Sequence, residues 1–177
     1  MSSYLVVIGD RKALVWILTS EQMAFSERTS RMAASLKPDD KLLLYTTRGC
    51  FGNPTLGRGR VIGQATVANP VRRLDKPVQF GDRTFPVGCS LTVHLLAPFG
   101  TGVEVVSHVA ELHAFPKPDV WSVYLRRTLV ALDDHDYGLL LRPLSKVAVV
   151  PSQVVPEYVA RGAPRQLIRP TMRDTTG

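Results

Sequence analysis

Ser35-Leu36-Lys37-Pro38-Asp39-Asp40-Lys41-Leu42-Leu43-Leu44-Tyr45-Thr46-Thr47-Arg48 reads as a helix end, a turn and a buried strand in succession. Lys37 precedes a proline and is pushed out of the helical region, so a short helix ends near Leu36. Pro38-Asp39-Asp40 supplies the turn. The strand from Lys41 to Thr47 is apolar at Leu42-Leu43-Leu44-Tyr45 and leaves through the polar, basic Thr46-Thr47-Arg48. A barrel wall delivers a binding pocket in this way.

Upstream, Tyr4-Leu5-Val6-Val7-Ile8 is a continuous β-rich apolar run closed by Gly9-Asp10, which predicts a buried strand and a helix N-cap at Asp10. The helix covers about Arg11 to Leu18, with Ala13/Ile17 and Leu14/Leu18 sharing a face and Trp16 on the flank. Downstream, Gly49, Gly52, Asn53-Pro54, Gly57 and Gly59 form a flexible hairpin loop. A strand from Gly59 to Val67 follows, with Val61, Gly63, Ala65 and Val67 on one face and Ile62, Gln64 and Thr66 on the other.

Phe80-Gly81-Asp82-Arg83-Thr84-Phe85 holds a turn between short extended pieces, Ser90 to Leu96 is a further strand, and Ser107 to Leu112 is a helical turn. Asp119 after Pro118 is placed to cap a helix carrying Trp121, Leu125, Leu129 and Leu132 on one stripe. Asp133 caps another, with Asp136 completing an acidic variant of the capping box. From Ser145 the periodicity fades among Pro151, Pro156, Pro164 and Pro170, and Arg161, Arg165, Arg169 and Arg173 are spread through the tail. The expectation is one domain over 1–144 and a loosely attached basic, proline-containing extension over 145–177. Several short strands, no βαβ alternation and no internal repeat imply an α+β domain around a mixed β barrel flanked by short helices.

At 177 residues and 45% hydrophobic, the chain is long enough for one core that removes roughly two-thirds of its unfolded surface from water. A net charge of +7 and a pI of about 9.8 favour a polyanionic partner, because Lys and Arg that neutralise phosphates release counterions. The two cysteines, Cys50 and Cys89, form no CxxC pair, which supports neither a zinc ribbon nor a disulfide framework. No apolar run approaches the roughly 20 residues that span a bilayer, and the run from Tyr4 to Ile8 lacks a basic leader. Reduced thiols in the cytoplasm and no membrane partner are expected.

The order of these pieces is similar to a known family. The first strand and helix, Ala24-Phe25-Ser26-Glu27-Arg28, the Leu36-to-Tyr45 stretch, Gly59-Arg60-Val61-Ile62-Gly63-Gln64-Ala65, Trp121, and Leu132 followed by Asp136-Tyr137 resemble the EVE domain of the PUA-like superfamily. The resemblance runs from about Ser3 to Leu144. Lys-Pro-Asp-Asp-Lys looks like the family's Lys-Pro-Gly-Asp-Lys, with Asp39 in place of Gly. Two other departures stand out: the family often has a Trp beside the first-strand Tyr and a Ser or Asn after that strand, whereas Tyr4 stands alone and Gly9-Asp10 follows. The resemblance implies a PUA-like pseudobarrel whose cleft accepts one nucleobase, in relatives associated with modified bases in DNA or RNA.

A base presents a flat π-face and a patterned polar edge, so a reader needs aromatic walls and fixed donors and acceptors. Phe25, Trp121 and Tyr124 are candidate walls; Asp10, Ser26, Thr46, Thr47 and Ser122 are candidate polar contacts. Trp121 also fits a core-packed helix stripe. Arg28, Arg48, Arg58, Arg126 and Arg127 are candidate phosphate ligands, Arg being suited to bidentate contacts, and Arg48, Arg58 and Arg60 cluster around one loop.

Other signals point away from chemistry. Gly57-Arg58-Gly59-Arg60 leads into a strand with no following helix, unlike a dinucleotide fingerprint. His94, His108, His113 and His135 lack metal-ligand spacing, and capping accounts for Asp133, Asp134 and Asp136. No nucleophile elbow or triad is evident. No catalytic residue, cofactor or metal is therefore expected. An RNA-processing enzyme using Lys41, Tyr45 and Arg48, and a protein-interaction subunit acting through the basic tail, are the alternatives.

Overall fold

The computed structural model describes residues 1–53 and 55–162. Pro54, Pro164, Pro170, Arg165, Arg169 and Arg173 lie outside the described residues. Eight strands form one curled mixed sheet: β1 (Ser3–Ile8), β2 (Gln22–Phe25), β3 (Lys41–Thr46), β4 (Arg60–Val67), β5 (Arg72–Phe80), β6 (Arg83–Leu96), β7 (Val103–Glu104) and β8 (Leu129–Leu132). Their order is β2-β6-β4-β3-β1-β8, with β5 on β6 and β7 on β4. β1 and β3 run parallel. The other pairs are antiparallel.

The turn before β3 is held by Asp40, whose buried carboxylate accepts from Ser2 N at 2.8 Å and Lys37 N at 2.9 Å. Asp39 has φ 70°, the left-handed region that glycine enters freely and Asp tolerates. That accounts for the family's Gly at this position. The Leu42–Tyr45 run of β3 is apolar because the sheet is covered on both faces there. Leu42 and Leu44 join the barrel interior with Val6, Ile8, Ala65 and Leu91. Leu43 and Tyr45 face a second cluster with Leu5, Val130, Leu140 and Phe115.

The expected alternation of β4 holds only from Gly63 onward. Leu44 pairs Gly63 and Tyr45 pairs Val61, so Ile62 is an extra residue at a bulge. Ile62 therefore faces the barrel interior and Val61 the second cluster.

Helix α1 (Arg11–Ser20) begins where expected: Asp10 accepts from Lys12 N at 2.7 Å and Ala13 N at 3.2 Å. Leu14, Ile17 and Leu18 are buried. Helix α2 (Ser30–Ala33) is short and precedes the Pro38 turn. Ser90–Leu96 proves to be the second half of β6, a 14-residue strand that reaches back to a hairpin at Gly81-Asp82.

Three expectations about the C-terminal half are overturned. Residues Pro118–Arg126 form kinked 3₁₀ turns, with Lys117 rather than Asp119 at the N-cap position and no side-chain cap bond. Leu129 and Leu132 belong to β8, so the Trp121 stripe is not one helix face. The extension is not loose over its described part. Helix α3 (Asp134–Val147) runs through Pro143 and past Leu144, Val149 pairs Leu96, and α4 (Val155–Gly162) buries Tyr158, whose hydroxyl donates to Ala97 O at 2.8 Å. Asp133 does cap α3, accepting from Asp136 N at 2.8 Å. Asp136 does not close a reciprocal box. It is buried, and its carboxylate accepts from His113 N at 2.9 Å and Ala114 N at 2.7 Å, tying the segment before the 3₁₀ turns to α3.

Candidate nucleic-acid interface

One mouth of the barrel opens into a cleft of about 330 Å3, near the lower end of the roughly 300–1,000 Å3 typical of ligand pockets. Its walls come from the end of β1 (Val6 to Ile8), from Ala13 and Ile17 of α1, and from Met23 to Phe25 of β2. β2 lies there because it pairs with Val87–Ser90 of β6. The same strand brings Arg83 and Phe85 to the rim, opposite Thr128. Phe85 is half-buried, with the Arg83 guanidinium 5.2 Å from its ring centroid and Phe80 5.7 Å away in an edge contact. An aromatic face backed by a cation is suited to a π-system.

The polar edge of the cleft comes from Gly9-Asp10. Both cap bonds of Asp10 go to Oδ1, leaving Oδ2 as an acceptor beside the opening. Thr47 N donates to Ile8 O at 3.0 Å, and the Thr47 Oγ1 lies 3.7 Å from where a Gly9 side chain would begin. Thr128 O accepts from Val7 N at 2.9 Å, which fixes the strand edge and carries the exposed Arg126 and Arg127 along the same segment.

Of the candidate site residues, the structure thus gathers Asp10 and Phe25 in the cleft, with Thr47 adjoining. Thr46, Arg48 and Arg58 line a different hollow, where the buried Thr46 donates to Arg60 O at 3.4 Å. Ser26 Oγ is engaged with Thr29 Oγ1 at 3.0 Å, and Arg28 is exposed. Trp121 and Tyr124 pack into the second cluster around Phe115, at ring-centroid distances of 6.0 and 5.8 Å, away from the cleft lining. Ser122 is exposed on the same turns. Arg83, Phe85 and Thr128 escaped the sequence reading. Phe80 and Phe85 flanking Gly81-Asp82 were the available signal, as an aromatic pair across a two-residue hairpin turn.

The set Lys41, Tyr45 and Arg48 does not converge. Lys41 and Tyr45 stand at opposite ends of β3, four residues or roughly 13 Å apart, and the Lys41 ammonium sits over the Tyr137 ring at 5.3 Å. Tyr45 is buried, and loss of solvation pushes its phenol up to about 12.

Long-range packing also builds a cluster that His spacing concealed. His113 and His135 stack at 4.4 Å, and with Asp133 and Asp136 their ligand atoms lie within 4.8 Å of one another. All four carboxylate oxygens of this cluster already accept hydrogen bonds, so it serves as a staple between α3 and the preceding segment. Its bond to Asp133, at 2.7 Å, raises the His113 pKa.

No family model and no curated protein matches this chain. Solved structures do. A hypothetical protein from Leishmania major matches at TM-score 0.53 and 14% identity, covering 82% of this chain and 96% of that one. Human THYN1, solved in complex with 5-methylcytosine-containing DNA, matches at TM-score 0.51 and 8% identity over 81% of this chain and 98% of its own. The Mmi1 YTH domain, solved in complex with RNA, matches at TM-score 0.52 and 10% identity over 82% and 79%. The shared property at these identities is architecture. The chain shares the architecture of these structures, a mixed pseudobarrel flanked by short helices, as expected from the sequence.

Proposed function

We propose that this protein is a noncatalytic nucleic-acid-binding module that seats one unpaired or flipped base, modified in its natural target, in the cleft at the barrel mouth. The observation that carries the reading is the cleft itself: 330 Å3, lined by Phe25, Phe85 and Arg83, with the Arg83 guanidinium over the Phe85 ring. The THYN1 and Mmi1 structures, with methylated DNA and with RNA, support it by fold. In this reading the base stacks on Phe85, and Asp10 Oδ2 accepts from an amino group on its polar edge. Arg126 and Arg127, near Thr128, and Arg28 take flanking phosphates, and the +7 charge supplies sequence-independent attraction. The buried free thiols Cys50 and Cys89 suit a reducing compartment such as the cytoplasm.

Discrimination has to come from pocket shape. Burial of one extra methyl is worth only about 0.8 kcal/mol, whereas a wrong base that leaves Asp10 unsatisfied costs about 1–3 kcal/mol. The test is a binding panel of short single- and double-stranded DNA and RNA, with and without modified bases, at two salt concentrations. One modification should bind at least tenfold more tightly than its parent base at both salts. Equal binding of every oligonucleotide, falling only with salt, refutes base reading.

A further inference from the structure

A second, more enclosed hollow of about 180 Å3 lies where the β3–β4 loop meets Phe99–Thr101 and α4. Its floor is aromatic: Phe51 sits edge-on to Phe99 at 4.9 Å, and Phe99 to Tyr158 at 5.6 Å. Its rim is cationic. Arg60 is tied to Glu104 at 3.3 Å, and Arg161, 4.7 Å from the Phe99 ring centroid, reaches Glu157 at 3.7 Å. Arg48 and Arg58 are exposed and have no carboxylate partner among the described residues.

The loop is built to bring those two residues onto one hollow. Gly57 N donates to Asn53 O at 2.7 Å, and a Cβ at Gly57 would collide with the carbonyl oxygen of Arg48. Only glycine lets the two sides of the loop close this far. Closure places residue 48 at one end of the loop and residue 58 at the other on the same hollow. A groove lined by Gly9, Asp10, Arg11 and Gly49 to Asn53 joins this hollow to the barrel cleft: it shares Gly9 and Asp10 with the cleft and Phe51 with the hollow.

We propose that this hollow is a second nucleotide subsite on the same strand: an unstacked base lies against Phe99 and its phosphate pairs with Arg48 and Arg58, while another base of the strand occupies the barrel cleft. This rests on the function proposed above. The physical reason is complementarity of both parts of a nucleotide at once: an aromatic floor centred on Phe99 for the heterocycle, and two exposed arginines lining the same hollow for the phosphate. Running the strand through the groove of Gly49 to Asn53 brings its backbone close to the main chain of Gly49 and Gly52 and to the Arg11 side chain.

The experiment uses the full chain, its Arg48→Gln/Arg58→Gln variant and its Phe85→Ala variant, with single strands of two to ten nucleotides. Both arginines are exposed, so the double variant should melt like the parent. For the longer strands, losing the one phosphate contact that the two arginines share should lower the salt slope by about 0.7, the contribution of one neutralised phosphate on a single strand. The affinity lost between 50 and 200 mM salt should then shrink by roughly 2.6-fold. The shortest strands should bind parent and double variant alike. A 5-iodouracil scanned along the strand should crosslink to Phe99 or Phe51 at one position and to cleft residues at another. If parent and double variant keep the same length dependence and salt slope, the subsite is refuted and the cleft reading stands. If free mononucleotides abolish the Phe99 crosslink as effectively as a long strand, the hollow is a mononucleotide site and the proposal is again refuted. If the parent binds no oligonucleotide, the cleft reading itself has failed.

Discussion

Replacing Phe85 by alanine tests the cleft where its chemistry is most concentrated. The ring is the half-buried aromatic at the mouth, with the Arg83 guanidinium over it at 5.2 Å and Phe80 at 5.7 Å. Removing a stacking platform costs about 1–3 kcal/mol per base, which is roughly 5- to 150-fold in Kd. The substitution also removes the Phe80 contact, about 0.5–1.5 kcal/mol of folding stability. Binding is therefore measured by fluorescence anisotropy well below the melting transition, with circular dichroism establishing that the variant is folded. Phe85→Tyr keeps the platform and should bind within about threefold of the parent, given that one rim contact is the only change. Trp121→Ala serves as the contrast. Its indole packs on Phe115 in the second cluster, so it should lower stability and leave base preference unchanged. If folded Phe85→Ala binds as the parent does while Trp121→Ala loses binding, the base lies elsewhere and the cleft assignment is wrong.

Tyr158→Phe leaves the buried Ala97 carbonyl without its 2.8 Å partner and should cost about 1–2 kcal/mol, lowering Tm by a few degrees in a chain of this size; an unchanged Tm would mean that α4 contributes nothing to the fold. The bond to Asp133 raises the His113 pKa, while the α3 cap bond from Asp136 N, and after it the bond to His113, lowers that of Asp133. The His113 contribution to stability is therefore full below the ordinary value of about 6.5 and is lost as pH rises through the raised value. The Asp133 contribution is present above the ordinary carboxylate range and lost as pH falls through the depressed value. Proton NMR should show His113 titrating above 6.5 and returning toward it in Asp133→Asn, which retains a cap; an ordinary His113 titration in the parent contradicts the staple. Burial pushes Cys50 to about 12 and Cys89 to about 11, so an aromatic disulfide reagent at pH 8 should find no fast thiol in the native protein and two after denaturation. A fast-reacting native thiol would show that one of these sites is open.

Local chemistry was legible wherever it is resolved within a few residues. Asp10 caps α1 and Asp133 caps α3 because a carboxylate two or three residues ahead of free backbone N–H groups needs no distant partner. The turn at Pro38-Asp39-Asp40 is equally local, but the preceding helix ends at Ala33, short of the Leu36 expected from Pro38. The Trp121 stripe misled because the same spacing of Trp121, Leu125, Leu129 and Leu132 is met by 3₁₀ turns followed by β8, whose hydrogen bonds to β1 decide the conformation. β4 alternation failed at Ile62 for a related reason, since a bulge depends on the partner strand.

By itself the amino-acid order determined the β1–α1 junction, the turn into β3, the presence of β1, β3 and β4 and the basic character of the chain, all of which follow from backbone sterics, capping, apolar patterning and charge. The tertiary structure alone decided which aromatic meets the cleft. Phe85 reaches Asp10 and Phe25 because β6 is 14 residues long and pairs with β2 and β4 at different points along its length. Arg48 and Arg58 share a hollow because a glycine lets one loop close on itself. Such convergences join residues tens of positions apart, and they are set by strand register and packing, which no short window of sequence encodes.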